Sequence, residues 1–161
     1  MLKKYSCADL QALSLKAQNS DRRRTNLNIH ETPDAEVQRL FLAFEPDTYI
    51  RPHRHTETHK WELFIVLEGA LELLLFNDAG EITERIPLSA AANRVVEIPP
   101  NTWHSYVCLQ SGTLALEVKQ GGYLPTTEQD FLATSPAENT PEVSAYFEQI
   151  KNATVKSVDK P

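Results

Sequence analysis

The sequence predicts an all-β fold, a sandwich or barrel of short strands, with one helix near each end. Three observations predict it. Seven or eight short runs of strand-like residues follow one another at regular spacing through the middle of the chain. All five glycines fall at the ends of these runs and none inside them, where turns call for positive φ. The gaps between runs are too short for crossover helices, which argues against a parallel α/β sheet.

The elements follow in order. A helix is expected over about 6–18: Ser6 can cap it, Asp9 stands three residues on, and Leu10, Leu13 and Ala17 share one face. Leu27 and Ile29 then alternate with Asn26, Asn28 and His30, a strand-like period of two. VQRLFLAF (37–44) and TYIR (48–51) read as strands split by the turn triplet Glu45-Pro46-Asp47. ELFIVLE (62–68) runs into Gly69 and ALELLLF (70–76); a four-residue turn, Asn77 to Gly80, leads to EITERIPL (81–88). RVVEI (94–98) stops at Pro99-Pro100, and HSYVCL (104–109) turns at Ser111-Gly112 into TLALEVK (113–119). A second helix is expected over about 141–151, capped by Thr140, with Pro141 in the first turn and Val143, Tyr146, Phe147 and Ile150 at helical spacing. It is placed on the outside of the sheet. Leu124 to Asn139 reads as loop, and the closing KNATVKSVDKP as a frayed end. Residues 1–161 read as a single domain with a barrel core over about 26–120.

Composition narrows the partners. Lysine and arginine number 16 against 22 acidic residues, a formal net charge of −6, which argues against nucleic acid or an anionic membrane as the main partner. The two cysteines, Cys7 and Cys108, lie far apart, so neither a disulfide framework nor a zinc ribbon is expected. Asp9 and Gln11 interrupt any signal-peptide core, and there is no apolar run of the ~18 residues that a membrane span needs. A cytoplasmic protein is the expectation.

Chemistry concentrates in RPHRHTETHKWELFIVLEG, Arg51 to Gly69. Residues two apart on a strand point the same way, so His53 and His55 present two imidazoles to one side. Two histidines alone read equally well as surface residues. Glu62, at the start of an apolar strand, and His104, delivered by the proline turn PPNTWH, strengthen the functional reading. Three imidazoles and a carboxylate suit one divalent first-row metal, with coordination positions left open. Glu57 competes with Glu62 for the carboxylate role, but it sits in a polar loop with no strand to hold it rigid.

These residues resemble the two motifs of the cupins. His53-Arg54-His55, Glu62 and Gly69 match the first, with E(x6)G spacing intact and a longer gap between His55 and Glu62 than is usual. Pro99 to His104 matches the second, with Asn101 in place of a glycine and Cys108 in place of the final asparagine; Asp47 stands where the first motif opens on glycine. Asparagine is the next best residue for a left-handed turn. RRRTNLNIH, the HRHTETHKWELFIVLEG block and LEVKQGGY are more narrowly similar to the WbuC-type cupin-fold metalloproteins, over roughly residues 20 to 125. The resemblance implies a jelly-roll double-stranded β-helix barrel. It also implies a metal (Fe, Mn, Ni or Zn) at His53, His55, Glu62 and His104. A relic barrel without metal is the competing reading. The narrower family's genes often lie among those for bacterial O-antigen or other surface polysaccharides, and cupins at large commonly pair, which implies a homodimer.

The remaining candidates surround that centre. The glycine spacing selects Glu62, which leaves His59 at the pocket rim, with plain exposure as the alternative. Tyr106 shares the parity of His104 and is a candidate hydrogen-bond donor or general acid, against the commoner fate of a core tyrosine. Some of Arg22, Arg23 and Arg24, with Arg23 and Arg24 foremost, are expected with Asn28 and His30 to hold an anionic substrate, a phosphate or carboxylate, at the barrel mouth; the alternative is a solvated charge run. The expected function is a metal-dependent enzyme, an isomerase, epimerase, lyase or dioxygenase, acting on a small polar or sugar-derived substrate. A non-catalytic module that binds metal and a small ligand is the alternative.

Overall fold

The computed structural model describes residues 2–155. Helix α1 (Cys7–Gln18) is followed by eight strands: β1 (Arg24–Asn28), β2 (Val37–Phe44), β3 (Glu62–Glu68), β4 (Ala70–Phe76), β5 (Ile82–Ser89), β6 (Val95–Ile98), β7 (His104–Cys108) and β8 (Thr113–Gln120). A single 3-10 turn (Glu128–Asp130) and helix α2 (Val143–Asn152) complete the described chain. The strands form two antiparallel sheets, one ordered β1-β2-β8-β3-β6 and the other β5-β4-β7. Two sheets facing each other over one core are the jelly-roll arrangement expected of the sequence. No helix among the described residues is long and apolar enough to cross a membrane.

The core lies between the sheets. Phe64 and Val66 of β3, Leu71 and Leu73 of β4, Tyr106 and Cys108 of β7 and Ala115 of β8 meet there, each almost wholly buried. Both outer faces are covered. Leu13 and Ala17 of α1 pack against Ala43 and Leu114, with Leu67 of β3 joining them, so the apolar alternation of β3 on both faces has one cause inside the chain. On the far side Phe147 and Ile150 of α2 pack against Leu74, Phe76, Ile82 and Val107. The α1 terminus has the expected capping box: Asp9 Oδ2 accepts from the Ser6 N–H at 2.7 Å, and Ser6 Oγ accepts from the Asp9 N–H at 3.3 Å. Gly69, at φ +80°, lets β3 turn directly into β4 where Thr113 crosses; a Cβ there would lie 2.2 Å from the Thr113 hydroxyl.

Three local expectations are corrected. Residues 48–51 are not a strand, because their backbone groups bond to loops and side chains: the Thr48 N–H donates to Glu45, the Tyr49 carbonyl accepts from Arg24 and the Ile50 carbonyl from Ser105. Helix α2 starts two residues later than expected, since the Thr140 hydroxyl donates back to Ala137 and does not cap. The segment expected to fray at Lys151 is helical through Asn152, and its final residues, 156–161, lie outside the described residues.

Candidate metal centre

The centre is built by backbone pairing. His53 and His104 form an isolated antiparallel bridge: the His53 N–H donates to the His104 carbonyl at 3.0 Å, and the His104 N–H donates to the His53 carbonyl at 2.9 Å. Their rings consequently lie side by side, with centroids 4.4 Å apart. His55 projects toward the same side, 5.5 Å from His53. The intervening Arg54 stacks its guanidinium over Trp103 at 4.1 Å. Asn101 takes the left-handed conformation expected of it, φ +60°, and its N–H donates to the His55 carbonyl at 2.7 Å. Register then adds the carboxylate, since Glu62 opens β3 as a buried residue.

Hydrogen bonds fix which ring atoms face the centre. Nδ1 of His53 lies 2.9 Å from the Arg51 carbonyl and Nδ1 of His104 lies 2.9 Å from the Thr102 carbonyl. A carbonyl only accepts, so both Nδ1 atoms carry the proton and both Nε2 atoms present a lone pair. His104 Nε2 is buried and has no hydrogen-bond partner. His55 Nε2 stands 3.1 Å from Glu62 Oε2, and the Tyr106 hydroxyl donates to Glu62 Oε1 at 3.2 Å.

Burial sets the protonation states. It pushes the His53 pKa down to about 3, with the neighbouring His104 and His55 adding to the effect. Burial also lowers His104. For Glu62 burial acts the other way, but the His55 hydrogen bond and the charge of Lys119 hold its carboxyl well below the usual range. Tyr106 is raised well above the usual phenol value by burial and by Glu62 and Glu117. At neutral pH His53 and His104 are therefore neutral, Glu62 is ionised and Tyr106 keeps its proton, which are the states a cation requires of its ligands.

This donor set fits a metal ion. The ligand atoms of His53, His55 and His104 all lie within 4.8 Å of one another. Two imidazole nitrogens, each ~2.0–2.1 Å from one zinc-sized ion, stand about 3–4 Å apart, so a small inward adjustment suffices. Glu62 Oε2 lies 3.9 Å from His104 Nε2 and 3.1 Å from His55 Nε2, which makes its carboxylate a candidate fourth donor beside the three histidines. The buried His104 nitrogen without a hydrogen-bond partner is the clearest sign, because it belongs to a group of three imidazoles whose ligand atoms lie within 4.8 Å of one another.

The other predicted residues divide into separate places. Glu57 lies outside the cluster and accepts from Lys60 at 2.9 Å. His59 is exposed and lies against Gly121, apart from the three clustered histidines. Arg23 donates to Asp47 at 2.9 Å, and Arg24 to the Tyr49 carbonyl and to Glu138. Arg22 and Arg24 line a groove against α2 together with Glu138. Asn28 and His30 line a different cavity, with Glu117 and Lys119. The structure thus separates the arginines from the two residues expected to act with them. Glu117 and Lys119 were missed by sequence reasoning. They form an ion pair at 2.8 Å, and Lys119 stands opposite Glu62. Burial raises the Glu117 pKa to about 7, with the charge of Glu62 adding to it. The signal available was the alternation Ala115, Glu117, Lys119 on one face of TLALEVK.

Residues 5–88 match the model of a family described as a domain of unknown function (DUF6016). No curated protein matches the chain. Among solved structures, an uncharacterised conserved protein with a double-stranded β-helix domain from Klebsiella pneumoniae is similar, with a TM-score of 0.55 and 16% identity over 78% of this chain and 95% of its own. A cupin 2 domain-containing protein from Halorhodospira halophila gives a TM-score of 0.52 and 16% identity, covering 83% of this chain and 85% of its own. KdgF from Halomonas sp. gives 0.50 and 20% identity, covering 65% and 85%. At these identities the likeness is one of fold: the chain has the cupin double-stranded β-helix.

Proposed function

The chain belongs to the family of domains of unknown function DUF6016, and from that premise we propose that it is a metal-dependent cupin-fold enzyme acting on a small polar or sugar-derived substrate. The observation that carries the reading is the convergence of His53, His55 and His104, with a buried His104 nitrogen that has no other partner. Glu62 is the fourth ligand in this reading. A divalent first-row metal held there supplies Lewis acidity toward a substrate oxygen.

The protein's own groups supply the rest. The Arg51 and Thr102 carbonyls orient the rings of His53 and His104 through their Nδ1 protons, as outer hydrogen bonds do at metal sites. Tyr106 retains its proton beside Glu62 and serves as the hydrogen-bond donor of the site. The narrower similarity of RRRTNLNIH, the histidine block and LEVKQGGY to WbuC-type proteins supports a role in building a bacterial surface polysaccharide.

The test is metal content. Protein purified without chelator or added metal is expected to carry roughly one transition-metal ion per chain. His53→Ala and His104→Ala are expected to lose it while keeping the parent's circular dichroism. Stoichiometric metal that persists in both variants would sink the ligand assignment. Metal retention without turnover of any candidate sugar favours a binding module over an enzyme.

A further inference from the structure

A cavity of about 550 Å³ opens between β1, β2 and β8, inside the ~300–1,000 Å³ range of small-molecule sites. Strand register places it beside the metal centre. Glu62 of β3 stands opposite Lys119 of β8, and Lys119 opposite Gln38 of β2. In the next row Phe64 faces Glu117, Glu117 faces Leu40, and Leu40 faces Asn28 of β1. Directly opposed residues share a sheet face, so one continuous surface runs from Glu62 to the cavity.

The polar atoms left free in this cavity are mixed in kind. Asn26 Nδ2 donates to Asn28 Oδ1 at 2.7 Å, which leaves the Asn28 amide protons and the Asn26 carbonyl for a ligand. Both Gln38 donors are taken by the Pro33 and Ala35 carbonyls, at 3.0 and 2.9 Å, so its oxygen is what remains. Lys119 brings an ammonium group to the cavity, 2.8 Å from Glu117. The floor beneath these groups is apolar, made by Leu40 and Leu42.

Charge removes one class of ligand. Lys119, the cavity's lysine, stands 2.8 Å from Glu117 and opposite the ionised Glu62, and Glu31, paired with Lys3 at 3.5 Å, lines the rim. Arg22 and Arg24, which would suit an anion, line the other groove and are paired with Glu138, and Arg23 is paired with Asp47. A hydroxyl both donates and accepts, which matches alternating amide, carboxylate and ammonium groups, whereas a phosphate only accepts. We propose that this cavity is the binding site of a neutral polyhydroxylated molecule of about monosaccharide size, held by Asn26, Asn28, Gln38 and the Glu117–Lys119 pair. The proposal rests on the metal reading only in that Lys119, at the cavity's inner end, stands opposite Glu62.

The experiment titrates the full chain, as purified and with its metal content measured, with neutral hexoses, pentoses and hexitols and with the matching aldonates and sugar phosphates. Binding is followed by backbone amide NMR shifts. At least one neutral member is expected to saturate and to shift β1, β2 and β8. Its affinity is expected to fall about fivefold or more in Asn28→Ala, the loss of one hydrogen bond. Asn28 is exposed, so this variant keeps its fold. The proposal is overturned if no neutral member saturates, if the shifts fall elsewhere, or if an aldonate or phosphate binds this cavity tighter than its neutral parent. Sugar binding by protein that carries no metal as purified and takes up none when offered would defeat the metal reading alone; stoichiometric metal without sugar binding would defeat this proposal alone.

Discussion

The histidine centre and the arginine run at 22–24 are both clusters of potentially reactive side chains, and they differ in what their polar atoms touch. Arg22 and Arg24 share Glu138, and Arg23 bonds Asp47, so each guanidinium ends on an acid of the chain itself. At the other cluster two ring nitrogens are anchored by carbonyls while His104 Nε2 ends on nothing. Paired polar groups tie segments together, whereas a buried acceptor with no hydrogen-bond partner is open to a ligand. The arginines tie the β1 end to the segment before α2, and the histidines keep one buried ring nitrogen without a hydrogen-bond partner.

The largest effect that sharpens this contrast is on the arginine side. Glu138→Ala leaves Arg24, with a side chain only 15% exposed, without its acid. A loss of about 2 kcal/mol in urea unfolding is expected, with metal content unchanged. If metal content fell and stability held, the two clusters would have exchanged roles.

Acid titration tests the other side. Folded His53 binds its proton only near pH 3, whereas an unfolded histidine binds it near 6.5. Between those values the unfolded state carries more protons, so folding stability rises with pH and is lost as pH falls from about 6.5 toward 3. In chelator-treated protein, denaturant midpoints across this window should drop with acidification, and His53→Ala should flatten the slope. An equal slope in parent and variant would mean that His53 titrates normally.

The smallest effect concerns Tyr106. Tyr106→Phe keeps the ring stacked on Phe64 and removes only the donor to Glu62. Metal affinity is expected to weaken about tenfold by competition with a chromophoric chelator, the usual size for an outer hydrogen bond to a metal ligand. Unchanged affinity would reduce Tyr106 to a packing residue.

What could be read from the sequence was set by range. Local signals served well: the Ser6–Asp9 capping box, the Asn77–Gly80 turn and the Asn101 left-handed turn all depend on neighbours within a few residues. The i, i+2 relation of His53 and His55 was equally local. The failures depended on contacts between distant segments. Residues 48–51 have strand-like composition, yet their partners turned out to be Arg24 and Ser105 and not a ladder. Glu117 and Lys119 had the right alternation, but only the β3–β8 register brings them opposite Phe64 and Glu62, and register between remote strands is invisible in one sequence. The arginine triplet suggested an anion site because the acids that neutralise it, Asp47 and Glu138, come from other parts of the chain.

The paired main-chain hydrogen bonds between His53 and His104 carry one more consequence. They belong to the peptide groups and not to the imidazoles, so the frame survives exchange of either side chain. The site is in this sense a socket with interchangeable pins. Replacing one pin by cysteine or aspartate would alter which ions it prefers, by ligand softness, without rebuilding the barrel around it. Supplying free imidazole to an alanine variant would refill the missing position from solution.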